Sequence, residues 1–291
     1  MITRGKAAPA WIKVPPLGIP LAGLPLRSLV QIPVKAPFHS LFGKHIVFRM
    51  ADIGHPGYPA DCVTLIADGA IFAMCFDAFE PDNPNGERRK EGNNRYIHSN
   101  IAQWLNSDAP PGQWYHPAHP YDAPPTAENL YDGINPSAQL PGFLHSLEPS
   151  FASQLLLTDL VVRRSQFDGD GSDSFQAKVF LASTTEVGAG TEGSVNEGPV
   201  FPIFSSAGER ICSFTPAAEA NCILAEEGPA YWWCRTPFYR DEIAARSITP
   251  YGFRSSPNAC TSVVGVRPLC NLPASAVVSL PDQEGIHTLL P

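Results

Sequence analysis

Short apolar runs separated by proline- and glycine-rich breaks set the pattern of this chain. His45–Ile53 and Cys62–Ala78 concentrate β-branched and aromatic residues and predict three strands, with Asp68-Gly69 as a hairpin turn. Ser99 is a good N-cap for a helix over Asn100–Ser107, because Ile97, Ile101, Trp104 and Leu105 recur at i, i+4, i+7 and i+8 on one face. Pro110–Pro136 reads as a long irregular loop bearing Trp114, Tyr115, Tyr121 and Tyr131. Short helical segments are expected over Gly142–Leu147 and Pro149–Leu155, the second opened by its proline. Leu156–Arg164 and Lys178–Ser183 predict strands around a turn at Asp168–Ser174, and Ala189–Glu197 is a glycine-rich loop. Helices early, then many short strands joined by long loops, predict a mixed α+β domain.

The strongest apolar block is Tyr231-Trp232-Trp233-Cys234-Arg235-Thr236-Pro237, answered later by Gly265-Val266-Arg267-Pro268-Leu269-Cys270-Asn271-Leu272. Adjacent indoles bury more apolar area than any neighbouring segment, so Trp104, Trp232 and Trp233 are expected in the core. Arg235 and Arg267 lie inside these runs, where an unpaired guanidinium is costly, so each needs fixed acceptors. The two blocks are expected to be neighbouring strands. The polypeptide between them is then pushed outward. It carries Phe238, Tyr239, Arg240, Arg246, Tyr251, Phe253, Arg254, Ser255 and Asn258, a mixture of aromatic anchors, guanidinium forks and small polar groups that suits a ligand-binding face.

Residues 1–40 differ from the rest. They hold seven prolines among Trp11, Ile12, Leu17, Ile19, Leu21, Leu24 and Leu26, with five basic side chains and no Asp or Glu. Proline favours an extended backbone, and an extended apolar arm suits a groove on a partner or a sister subunit. Wrapping its own domain is the alternative. The expected division is an anchoring arm over 1–40 and a domain over 41–291.

Composition narrows the field. Hydrophobic content of 44% with 16% charged residues is that of a globular chain, and 31 prolines with 23 glycines favour loops and short elements over a helical bundle. A net charge of −8 disfavours nonspecific nucleic-acid binding. No run of 18 apolar residues offers a membrane span, and the early prolines do not suit the apolar helix of a signal peptide. The seven cysteines form no CxxC pair, so buried free thiols are expected; a bridge, if formed, would draw on Cys234, Cys260 or Cys270.

Several motifs in order resemble the family of the domain of unknown function DUF6273: Asn106 closing QWLN, Gly142-Phe143-Leu144, Lys178 to Gly188 (KVFLASTTEVG), Trp233-Cys234-Arg235-Thr236-Pro237 and Gly265-Val266-Arg267-Pro268. The resemblance spans roughly 41–280, and Pro16 to Leu21 is similar to the start of phage-encoded members. It implies a fold akin to C-type lectins and the formylglycine-generating enzyme, with two short helices flanking a small twisted, mainly antiparallel sheet and long loops forming a ligand face.

Other chemistry is poorly served. Glu80-Pro81-Asp82-Asn83 is similar to the sugar-binding loop of C-type lectins but comes too early in the chain. Asp168 to Asp173 begins like a calcium loop but has Asp173 at position six and Val179 at position twelve, so a solvated turn is favoured. His116 and His119 share a proline-stiffened loop without a completing ligand, so no metal and no cofactor are expected. No nucleophile elbow, P-loop or dinucleotide motif is present, and the cysteine spacing does not reproduce the reactive pair of a formylglycine-type oxidase. The expectation is a non-enzymatic phage or prophage virion surface protein. Residues 1–40 would attach it to other virion proteins, with self-association as an open option, and its lectin-like domain would bind a host-surface glycan or protein. The alternatives are a capsid or tail decoration protein and, behind it, the oxidase.

Overall fold

A computed structural model describes residues 18–291. Its strands begin with β1 (Gly18–Pro20), β2 (Leu29–Pro33), β3 (His45–Ile53), β4 (Cys62–Ala67), β5 (Phe72–Ala73), β6 (Thr158–Arg163), β7 (Ser172–Ala177) and β8 (Val179–Leu181). They continue with β9 (Trp232–Pro237), β10 (Ala245–Ile248), β11 (Arg254–Ser255), β12 (Gly265–Val266), β13 (Pro268–Pro273), β14 (Val277–Ser279) and β15 (Ile286–Thr288). The helices are short: α1 (His39–Phe42), α2 (Arg88–Glu91), α3 (Asn100–Asn106), α4 (Phe143–Ser146), α5 (Pro149–Ala152) and α6 (Pro216–Asn221). This is the mixed α+β architecture that the pattern predicts, with strands dominant.

Among the described residues, most strands join two sheets, a six-stranded one ordered β15-β2-β3-β4-β13-β8 and a five-stranded one ordered β11-β10-β9-β12-β5. β4 is buried at every position because it is central and covered on both faces. Asp68-Gly69 is not a hairpin turn, since β4 and β5 belong to different sheets. The turn carries the chain between sheets, and Ala70 N donates to Ser213 O at 2.9 Å on the way. Only glycine suits position 69, where a Cβ would lie 2.9 Å from that same carbonyl.

The expected single strand over Gly265–Leu272 also divides. Gly265 pairs in parallel with Trp232, so the two apolar blocks are neighbours, but Pro268 onward pairs with β4 and β8 in the other sheet. Arg267 marks the crossing. Its Nε donates to Ala67 O at 2.8 Å, and its guanidinium lies over the Trp232 ring at 5.1 Å from the centroid. Trp104, Trp232 and Trp233 are fully buried, and their indole N–H groups donate to Pro141 O, Arg210 O and Met74 O.

α3 begins at Ser99, whose hydroxyl accepts from Ala102 N, and ends at Asn106. The Asn106 amide serves as a strand partner, accepting from Lys178 N and Val179 N and donating to Val179 O. That fixes the helix end against β8.

The expected arm needs correction from residue 18 onward. Trp11, Ile12 and Leu17 lie outside the described residues. Ile19 pairs with Val278 in the β1–β14 ladder, Leu21 and Leu24 are in the domain core, and Leu26 is exposed. β2 then pairs with β3 along its whole length. Prolines did not prevent this, because Pro20 and Pro33 stand at strand ends. The seven cysteines are all free and buried.

Arg235 has no solvent exposure. Its Nη1 donates to Leu181 O (2.9 Å) and Glu186 Oε2 (2.6 Å), and its Nη2 to Glu186 Oε1 (2.8 Å) and Glu197 O (2.8 Å). Tyr58 Oη completes the pair with a 2.6 Å bond to Glu186 Oε1. Removing one partner strands a buried charge, so Glu186→Ala is expected to lower unfolding free energy by about 3–5 kcal/mol in a denaturant titration. A loss below about 1 kcal/mol, the range of an exposed pair, would contradict this.

Candidate recognition face

β10 and β11 form the outer hairpin of the five-stranded sheet, with Ser247 opposite Ser255 and Ile248 opposite Arg254. Its turn is braced from within and below. Thr249 N donates to Phe253 O at 2.7 Å, and the Thr249 hydroxyl accepts from Tyr251 N and Phe253 N. Gly252 has φ +77°, and any side chain there would collide with the Ala207 carbonyl. Arg210 Nε donates to Gly252 O at 2.7 Å. On this fixed turn Tyr251 is 74% exposed and Phe253 62% exposed.

The other residues expected on this face divide. Arg240 and Arg254 are exposed; Phe238, Tyr239, Arg246, Ser255 and Asn258 are half-buried. The guanidinium of Arg246 stacks on Phe238 at 4.2 Å, and that of Arg163 stacks on Tyr239 at 4.3 Å. Asn258 donates to Glu91. Arg246 and Arg254 both reach Glu192, at 2.5 and 2.9 Å. Desolvation, with Arg254 nearby, lowers the pKa of Arg246. The excursion is therefore partly a scaffold for its own tip. Glu192, Arg163 and Arg210 come from distant segments, and the signal for Glu192 was its place in the glycine-rich loop.

The remaining motifs are structural. Asp168 to Asp173 spans the turn of the β6–β7 hairpin, with Gly169 and Ser172 exposed, and its acids are also paired: Asp168 with Arg88, Asp170 with Arg163, and Asp173 with Arg95 through two 2.8 Å bonds. These ion pairs clasp the β6–β7 hairpin, whose second strand begins inside the expected turn. Glu80 is fully buried, accepts from Asn83 and Asn93, and lies 2.8 Å from His119 Nε2. His119 stacks on His98, so the histidine loop is pinned to the body. Among the described residues no group of three or more His, Cys, Asp or Glu is placed to hold a metal.

Asp77 sits beneath this loop and accepts from Asn93 N and Asn100 N, both at 3.0 Å. Burial, then the charges of Glu80 and Asp122, push its carboxyl well above the usual range. A raised folded-state pKa favours the neutral acid in the fold, so stability falls as pH climbs from the ordinary carboxylate range toward the raised value. Unfolding free energy is expected to decline as pH rises above the ordinary carboxylate range, less steeply in Asp77→Asn than in the native chain. Equal slopes in urea titrations would refute this assignment.

No curated protein and no solved structure matches the chain. The family model of DUF6273, a domain of unknown function, matches residues 63–274 of the 291, and the chain belongs to that family.

Proposed function

We propose that the protein is a non-catalytic recognition module of a phage or prophage particle, binding a host-surface ligand through the Tyr251–Phe253 turn. The observation that carries this reading is the exposure of both rings on a turn fixed by Gly252 and Arg210. Aromatic side chains have few rotatable bonds, so on a fixed backbone they lose little conformational freedom when a ligand covers them. Arg240 and Arg254 add charged groups at the same excursion. A C-type-lectin-like arrangement, with long loops gathered on an α+β body to form a ligand face, agrees with this.

Burial supports the non-catalytic part. It raises the pKa of Cys234, Cys260 and Cys270, and all seven thiols are shielded, unlike the accessible thiolates that oxidative chemistry uses. Attachment to the particle is assigned to the segment ahead of Gly18, on its apolar, proline-rich composition alone.

The test compares native protein with a Tyr251→Ala/Phe253→Ala variant for binding to whole bacterial cells and arrayed bacterial-surface glycans. Both side chains are exposed, so the variant should keep its stability within about 0.5 kcal/mol per substitution. Binding should weaken about 30-fold or more, as expected for a central aromatic anchor. Unchanged binding removes this face from consideration.

A further inference from the structure

Glu192 occupies a cradle that its own charge does not fill. Its Oε1 lies 2.5 Å from Arg246 Nη2 and 2.9 Å from Arg254 Nη1, and its Oε2 accepts from Tyr239 N at 3.3 Å. One carboxylate thus faces two guanidiniums. Arg246 Nε is buried with no acceptor, and the ring of Phe238 closes the other side of that guanidinium. Beside it, Arg163 stacks on Tyr239; its Nη2 is taken by Asp170, while its Nε and Nη1 are buried and unpartnered. Two forks, a backbone N–H and an aromatic floor are the groups that hold a carboxylate with directional bonds. A balanced structural staple would not leave buried guanidinium donors unused.

The segment carrying Glu192 turns on glycines. Gly190, Gly193 and Gly198 all have positive φ, and between them Glu192 bridges Val195 in a narrow turn. The loop ends at Glu197, whose carbonyl is fixed by Arg235, so displacement of Glu192 has to be taken up between these two residues. Arg254, 36% exposed at its side chain, connects the cradle directly to Phe253 and the open aromatic turn.

Building on the recognition reading above, we propose that Arg246, Arg254 and the Tyr239 amide form a carboxylate-binding site for an acidic saccharide, with Glu192 as an internal stand-in that the ligand displaces. The saccharide class is taken from Tyr251 and Phe253, exposed aromatic side chains three and one residues ahead of Arg254 in the chain, of the kind that cover the apolar face of a sugar.

Calorimetric titration of the full chain with glucuronate, trigalacturonate and N-acetylneuraminate, alongside their methyl esters, tests this. Glu192→Gln should bind at least one acid about tenfold more tightly than the native chain, and the methyl esters should not bind. Adding Arg254→Ala to Glu192→Gln should abolish that gain. Equal affinity of native and Glu192→Gln chains, equal binding of ester and acid, no binding of any acid, or tighter binding of an oligoglutamate peptide would each overturn the proposal. Hydrogen exchange on the native chain keeps the test independent of how the variants fold: saturating acid should speed exchange of amides 189–198, and unchanged or slower exchange counts against displacement. The Tyr251→Ala/Phe253→Ala comparison on cells is read separately, so the broader reading can stand if the carboxylate site fails.

Discussion

One buried guanidinium sets the terms for the rest of this molecule. Arg235 lies in the strand that also carries the paired indoles, and it has no access to water. Desolvating an ion pair costs several kcal/mol per charge and is recovered only when the remaining donors are also satisfied. Here they are met from three directions: a carbonyl of β8, the carboxylate of Glu186, and the carbonyl of Glu197. β8 belongs to the six-stranded sheet and β9 to the five-stranded one, so a single side chain ties the sheets together. It also holds the two ends of the segment between Glu186 and Glu197.

That tether decides where the glycine-rich loop can go. Anchored at both ends in the core, the loop projects Glu192 toward the hairpin and meets Arg246 and Arg254. Arg267 does complementary work at the crossing of the sheets, where it takes the last carbonyl of β4 and stacks on Trp232. β12 pairs in parallel with β9, and the chain between them adds β10 to the same sheet before β11 and its turn reach the surface. A surface built this way is positioned by rigid elements rather than by the flexible chain it consists of.

How much of this was legible in the sequence depended on the range of the interaction. Local signals were readable: the Ser99 cap, the apolar face of α3, and the paired indoles as core. The excursion was read as wholly outward, yet only part of it is: Tyr251 and Phe253 are exposed, while Ala245, Ser247 and Ile248 are buried in a sheet strand that the polar-aromatic composition did not signal. Sheet membership was not readable, because β4 and β5, or β12 and β13, are separated by so few residues that pattern alone reads them as continuous. The ion pairs of the acidic turn were missed for the opposite reason. The arginines that neutralise Asp168 and Asp173 lie 80 and 78 residues earlier, and no local pattern reports them. The leader misled through its prolines: the apolar residues Leu21 and Leu24 were read as arm, yet they fill the domain's own core.

The distribution of aromatic surface separates scaffold from face. Covering one large side chain is worth about 1.5–3 kcal/mol, and the described tryptophans, Trp104, Trp114, Trp232 and Trp233, are all buried. Isolated exposed rings such as Tyr131 and Phe167 are ordinary for a protein surface. Tyr251 and Phe253 differ in being two residues apart on a turn that a buried arginine, a positive-φ glycine and a threonine hydroxyl all hold still. Rigidity of the turn without burial brings the fold little stability of its own, because the rings it carries remain in water. On the proposed reading such a turn gains free energy only when a ligand covers it, and the charges of Arg246 and Arg254 would bias that ligand toward an acid.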